Sequence, residues 1–193
     1  VTAPPRTLRA DAERNRLRIL EVAQEVFAEE GLSVPIDEIA RRAELGVGTL
    51  YRHFPTKEAL FEAIVVGRLE SLVESARGGA SARDAGAAFF EFLERMVAES
   101  GAKKDFLAAL ASTGADMERI AAVKKKMKRA VAVLLERAQH AGAVRGDVGV
   151  PDVLALVMGA ANAAERHGGG ADWRRRLLGV IFDGLRAMPA RAR

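Results

Sequence analysis

The sequence predicts an all-α protein, and three observations carry that reading. Alanine is abundant, β-branched runs are scarce, and nearly every long segment repeats its apolar residues at intervals of three and four. The 193 residues are 49% apolar and 29% charged, a balance that fits a folded chain long enough to bury a sizeable core. Thirty Lys and Arg against 26 Asp and Glu leave a formal charge of +4, mildly basic and far from polycationic. There is no cysteine, which excludes disulfides, thiol catalysis, zinc ribbons and iron–sulfur clusters together.

The first helix is expected from about Asp11 to Glu30, where Ile19, Val22, Val26 and Leu20, Ala23, Phe27 form two adjacent rows. Gly31 is its expected C-terminal stop. A short helix follows from about Pro35 to Ala43, with Pro in the first turn and Asp37 and Glu38 favourable at the positive helix end. After a turn at Glu44 to Gly46, a third helix reaches Phe54. Pro55 stops it, Thr56 caps the next, and that fourth helix runs to about Ala76, before a break at Arg77 to Ser81. Further helices are expected at about Ala82 to Glu99, Lys103 to Ser112, Met117 to Ala141, Asp152 to His167 and Asp172 to Met188, about nine in all. The expected organisation is a helical head, residues 1–56, and a larger helical body, residues 57–193.

Val1 to Arg18 holds five arginines and no apolar run of signal-peptide length, so secretion by that route is not expected. The longest nearly apolar stretch, Val153 to Ala161, spans nine residues. A membrane-crossing helix needs about 20. The expectation is a soluble cytoplasmic protein without a membrane partner.

Ile36 to Leu60 is the most informative stretch. Two short helices around a tight turn, with Ile36, Ile39, Ala40 and Ala43 facing Val47, Leu50 and Phe54, make a helix-turn-helix pattern. The same positions also keep one helical phase and fit a single buried stripe. Against that, each of Gly46 and Gly48 would cost about 1 kcal/mol inside a helix, which favours a break. The outer face of the second helix would present Gly46, Val47, Gly48, Thr49, Tyr51, Arg52 and His53: small residues for close approach, then hydroxyls and cations for phosphates and bases.

These residues resemble the TetR-type bacterial transcriptional regulators. The resemblance rests on Ile39-Ala40, Gly48-Thr49-Leu50-Tyr51-Arg52-His53-Phe54, Lys57-Glu58-Ala59-Leu60 and the preceding Phe27 and Gly31, over about residues 14 to 62. It implies that Thr49, Tyr51 and His53 meet phosphates or bases and that Lys57 holds a phosphate. Two positions depart from the family pattern. Glu44 stands where the family has a turn glycine, and must go left-handed at about 1 to 2 kcal/mol or shift the turn. Pro35 stands where the family has a hydroxyl cap touching phosphate, leaving Ser33 as the neighbouring hydroxyl. Residues 1 to 60 hold nine Lys and Arg against ten Asp and Glu, so positive charge for DNA must be local. Arg6, Arg9, Arg14, Arg16 and Arg18 form a candidate basic arm.

The rest of the chain matches the family only in helical character and length. Phe89, Phe90, Phe92, Met96, Phe106, Leu110 and Met117 gather the large soft side chains that would line an effector pocket, or serve simply as core. Leu156, Ala160 and Ala163 on one of the last two helices, and Leu178, Ile181 and Leu185 on the other, form rows suited to pairing with a second subunit, as the resemblance implies. The cations of Lys124, Lys125, Lys126, Lys128 and Arg129 fall outside the apolar row Val123, Met127, Ala130, Val131, Leu134 and are expected as a solvated face. There is no HExxH or GxxxxGK[ST] motif, Gly46-Val47-Gly48 lacks the third glycine of a dinucleotide loop, and His53, His140 and His167 are scattered. No enzyme activity, cofactor or metal is expected. The expectation is a homodimeric regulator, a repressor released from a near-palindromic DNA operator by a small-molecule effector. A helical protein-interaction module with a head that does not bind DNA is the alternative.

Overall fold

The computed structural model describes residues 6–113, 117–167 and 170–187, and the side chains of all of these except 6–9, 101–108, 111–113 and 165. Among the described residues there are eight helices and no strand: α1 (Arg6–Glu30), α2 (Ile36–Arg42), α3 (Val47–His53), α4 (Lys57–Gly79), α5 (Ala85–Thr113), α6 (Glu118–His140), α7 (Val150–Arg166) and α8 (Ala171–Leu185).

The chain divides into two compact units. One holds the chain up to Val66 together with a part of α5 that includes Ala109 and Leu110. The other holds α4 from Gly67 onward, the first part of α5, and α6 to α8. The division thus falls ten residues beyond the expected boundary at 56, inside α4. The first part of α4 belongs with the head because it carries Phe61, which meets Phe27 of α1 edge-on with ring centroids 5.2 Å apart.

In the head, α1, α2 and α3 contact one another, and their shared core is Ile19, Val22, Ala23, Val26, Phe27, Ile39, Ala40, Leu50 and Phe54, all buried. Gly31 ends α1 at φ +82°, with its N–H donating to the Phe27 carbonyl at 3.1 Å. Thr56 caps α4, its Oγ1 accepting the Ala59 N–H at 3.1 Å.

In the second unit α8 ends at Leu185, short of the expected Met188, and three other element ends differ from the sequence reading through a capping group. The fourth helix does not stop at Ala76 but continues through Gly78 and Gly79. Arg137 of α6 makes this possible by donating to the carbonyls of Gly79 (3.1 Å) and Ala82 (2.9 Å). The next helix starts at Ala85, since Asp84 Oδ1 accepts the Ala87 N–H at 2.8 Å. Asp152 likewise reaches back to the Gly149 N–H at 2.8 Å and sets the start of α7. The two helices expected at Ala82 to Glu99 and Lys103 to Ser112 are one: α5 runs through Gly101, so the described helices number eight. A lone glycine costs about 1 kcal/mol in a helix, too little to break a run of good helix formers.

Candidate nucleic-acid interface

Glu44 is the only described non-glycine residue with positive φ, at 59°. The turn is built around it. The Glu44 N–H donates to Arg41 (3.1 Å) and the Leu45 N–H reaches five residues back to Ala40 (3.0 Å), a helix end that requires a left-handed residue. The chain therefore accepts the strain rather than moving the turn. Pro35 precedes α2 without a side-chain cap. The helix is instead favoured by Asp37 and Glu38 in its first turn and Arg41 and Arg42 in its last.

Glu38 gathers these arginines. It accepts Arg41 Nε and Nη2 at 2.8 and 2.6 Å and Arg42 Nε at 2.7 Å, while Arg42 also pairs with Glu30 of α1. Hydrogen bonds from Arg41 and then Arg42 hold the Glu38 carboxyl down at about 2, against an ordinary 4.5.

The outer face of α3 is open. Gly46, its N-cap, and Gly48 are exposed, and a methyl group built on either would find nothing within 4 Å. Nothing inside the head thus requires glycine at these positions. Tyr51 is 42% exposed and Arg52 is exposed beside it, with Thr49 and His53 half-buried at the flanks. Tyr51 Oη donates to Asp37 Oδ1 at 3.4 Å, a long contact. Partial burial first, and the Asp37 charge second, raise the Tyr51 hydroxyl above its ordinary value. Val47 corrects half of its expected placement: it is 40% exposed, so it joins this outer face and leaves the inner seam to Ile36, Ile39, Ala40, Ala43, Leu50 and Phe54.

At the edges, Ser33 is exposed. Arg14 is exposed but paired with Asp11, and Arg16 lies over the Phe54 ring, 5.4 Å from its centroid. Lys57 is half-buried. Its Nζ donates to the Val34 carbonyl at 2.7 Å, and burial lowers its proton affinity.

Of the residues expected around an effector, Phe89, Phe92 and Met96 are buried, Met117 is half-buried, Leu110 is buried and falls in the unit with the head, and Phe106 lies outside the described side chains. A cleft of about 570 Å3 is lined by Phe90, Phe182, Asp84, Glu91, Glu94 and Arg186 among others. Sequence spacing missed it because its walls come from the start of α5 and the end of α8. In the pairing rows, Leu156 is exposed and Ala163 and Ile181 half-buried, but Ala160, Leu178 and Leu185 are buried inside the single chain. The large apolar residues that face outward among the described side chains of these helices are Leu156 (38%), Met158 (58%) and Val180 (72%). Lys124, Lys125, Lys126, Lys128 and Arg129 of α6 are all exposed, and the apolar row beside them is buried except for half-buried Ala130.

Among the described residues no group of three His, Cys, Asp or Glu could hold a metal ion. No described helix is long and apolar enough to cross a membrane.

Residues 19–64 match the family model for bacterial regulatory proteins of the tetR family, and residues 84–187 match that of the SbtR-like transcriptional regulator C-terminal domain. A solved TetR transcription regulatory protein from Mycobacterium vanbaalenii is 42% identical, covers 93% of this chain and 99% of its own, and superposes with a TM-score of 0.76. A TetR transcriptional regulator from Streptomyces coelicolor is 32% identical over 90% of this chain and 99% of its own, with a TM-score of 0.75. An HTH-type transcriptional regulator of Staphylococcus aureus is 39% identical over 67 residues, 34% of this chain and 36% of the relative's length.

Proposed function

The chain belongs to the TetR family of bacterial transcriptional regulators, and from that premise we propose how its residues divide the work. The outer face of α3 enters the DNA major groove, with Gly46, Val47, Gly48, Thr49, Tyr51, Arg52 and His53 against backbone and bases and Arg14 and Ser33 at the flanking phosphates. The single observation that carries this reading is the empty space over Gly46 and Gly48. Two glycines that no internal neighbour demands, next to an exposed tyrosine and arginine, suit a surface that something else approaches closely.

Two copies pair through the outward faces of α7 and α8, where Met158 and Val180 are exposed and Gly159 and Gly184 permit close approach. The pair places its recognition helices in successive major grooves of a near-palindromic operator, about 34 to 36 Å apart. A small molecule that binds the body of one conformation more tightly releases the DNA, a coupling of about 1 to 3 kcal/mol. The protein acts as a cytoplasmic repressor.

The test is gel-shift binding to DNA flanking the protein's own gene at two salt concentrations, with Tyr51→Ala beside the wild type. Specific binding that weakens with salt and is lost in the variant supports the reading. Binding no tighter than to random DNA, unchanged by the substitution, sinks it in favour of a protein-interaction head. Met158→Glu with Val180→Glu, followed by sedimentation, tests the pairing face: a dimer that persists unchanged assigns it elsewhere.

A further inference from the structure

Lys57 is the first residue of α4, and its ammonium reaches 23 residues back along the chain to the carbonyl of Val34, at 2.7 Å. Val34 lies in the turn before α2, and the segment between the two ends is the helix-turn-helix itself, α2 and α3. Val34 is buried, so its carbonyl needs a donor from within the protein, and the ammonium is that donor. The same Nζ lies 5.7 Å from the centroid of the Phe27 ring on α1 and 5.8 Å from that of Phe61 on α4. Both distances are within cation–π range, and the two rings meet edge to face beneath it. One charged group thus touches α1, the turn before α2, and α4.

Resting on the DNA-binding reading above, we infer that Lys57 is a positioning residue that fastens the two ends of the helix-turn-helix and sets the angle at which α3 meets DNA, rather than a phosphate contact. A phosphate-binding lysine works as a hydrated charge on a free stem. Lys57 has its stem drawn inward and its charge answered by an uncharged carbonyl and two rings. Turning it toward a phosphate would leave the Val34 oxygen buried without its donor.

The two roles separate in the salt dependence. A lysine that neutralises one phosphate contributes about 0.9 to the slope of log affinity against log salt, and acts on all sequences alike. A clamp contributes nothing to that slope but changes the ratio of specific to random binding. In the full-length chain, Lys57→Met removes donor and charge, Lys57→Gln keeps a donor without charge, and Lys57→Arg keeps both.

The expected result is that Lys57→Met lowers operator affinity about tenfold, at the low end of one lost base contact, with binding to random DNA and the salt slope unchanged. Lys57→Gln and Lys57→Arg restore most of the loss. A slope flatter by about 0.9 in both Lys57→Met and Lys57→Gln, with an unchanged specificity ratio, would overturn the inference. So would a Lys57→Met protein that binds like the wild type. Should Lys57→Met fail to fold, the slope of Lys57→Gln decides by itself. If the wild type shows no specific DNA binding, the DNA reading fails, and the clamp is judged separately by amide hydrogen exchange. Faster exchange at Ile36 to Ala40 in Lys57→Met than in Lys57→Arg upholds it, and equal rates overturn it.

Discussion

Replacing Glu44 with glycine should stabilise the protein, although it removes an entire side chain. Glu44 holds φ 59° because the hydrogen bonds from its own N–H and from that of Leu45 close the end of α2 only in that conformation. An L-residue there costs about 1 to 2 kcal/mol. Glycine escapes that strain but gives back about 0.5 to 1 kcal/mol through the freedom it gains in the unfolded chain. The net expectation is a gain of about 0 to 1.5 kcal/mol, centred on about 0.75 kcal/mol. At about 2 to 4 °C per kcal/mol for a chain of this size, the central value raises the melting temperature by about 1.5 to 3 °C. Glu44→Ala is the control, since it removes the carboxylate but keeps the Cβ that causes the strain, and should gain nothing in stability. Thermal melts followed by circular dichroism, with denaturant midpoints at constant slope as a second measure, decide the matter. A glycine variant that melts at or below the wild type, or an alanine variant that gains as much, would refute backbone strain at this turn. The alanine variant has a second use: an equal rise in DNA affinity in both variants would assign that rise to the lost charge alone.

Gly48→Ala should move stability and binding in opposite directions: the helix gains up to about 1 kcal/mol, since the new methyl meets nothing within 4 Å, while gel-shift affinity falls. If affinity is unchanged, α3 does not approach DNA through that face. Glu38→Gln tests the acid side. The folded carboxyl sits at about 2 against an ordinary 4.5, so its stabilising contribution is present above the ordinary value and is lost as pH falls through 4.5 toward 2. Melting curves from pH 6 to 2 should therefore separate wild type from Glu38→Gln near neutrality and converge at the acid end. Parallel curves would show that the ion pairs do not matter. Arg137→Ala should cost about 1 to 3 kcal/mol by denaturant titration, because the Ala82 carbonyl loses the guanidinium and the Gly79 carbonyl keeps only the Ala82 N–H. Amide exchange should rise at Ala80 and Ser81, and a variant of unchanged midpoint would mean that water replaces the guanidinium at no cost.

The head was legible because its signals are local. The apolar spacing of Ile39, Ala40, Leu50 and Phe54 identifies the seam, and the family resemblance sets Glu44 at the turn's glycine position, leaving a left-handed residue or a shifted turn, of which the structure takes the first. What escaped depends on partners distant in sequence. The end of α4 is set by Arg137, 58 residues from Gly79, so the glycines at 78 and 79 read as a break when they are the last turn of a capped helix. Lys57 reads as a free cation because sequence gives its charge but not which oxygen answers it. Leu178 and Leu185 make a helical row as easily for an internal neighbour as for a second subunit, and in the single chain both are buried. For the body, spacing names large apolar side chains without saying whether they surround a void.

The passage of α4 from one unit to the other between Val66 and Gly67 has a consequence for how such proteins can be altered. A loop at a domain boundary absorbs inserted or deleted residues, but a helix counts them. Each residue added near Gly67 would turn the rest of α4 by about 100° and advance it about 1.5 Å relative to its first turns. Seven residues, about two turns, restore the phase of the helix but lengthen it by about 10 Å. The count from Lys57 to Gly79 is therefore a constraint of its own, one of phase and length rather than of residue identity.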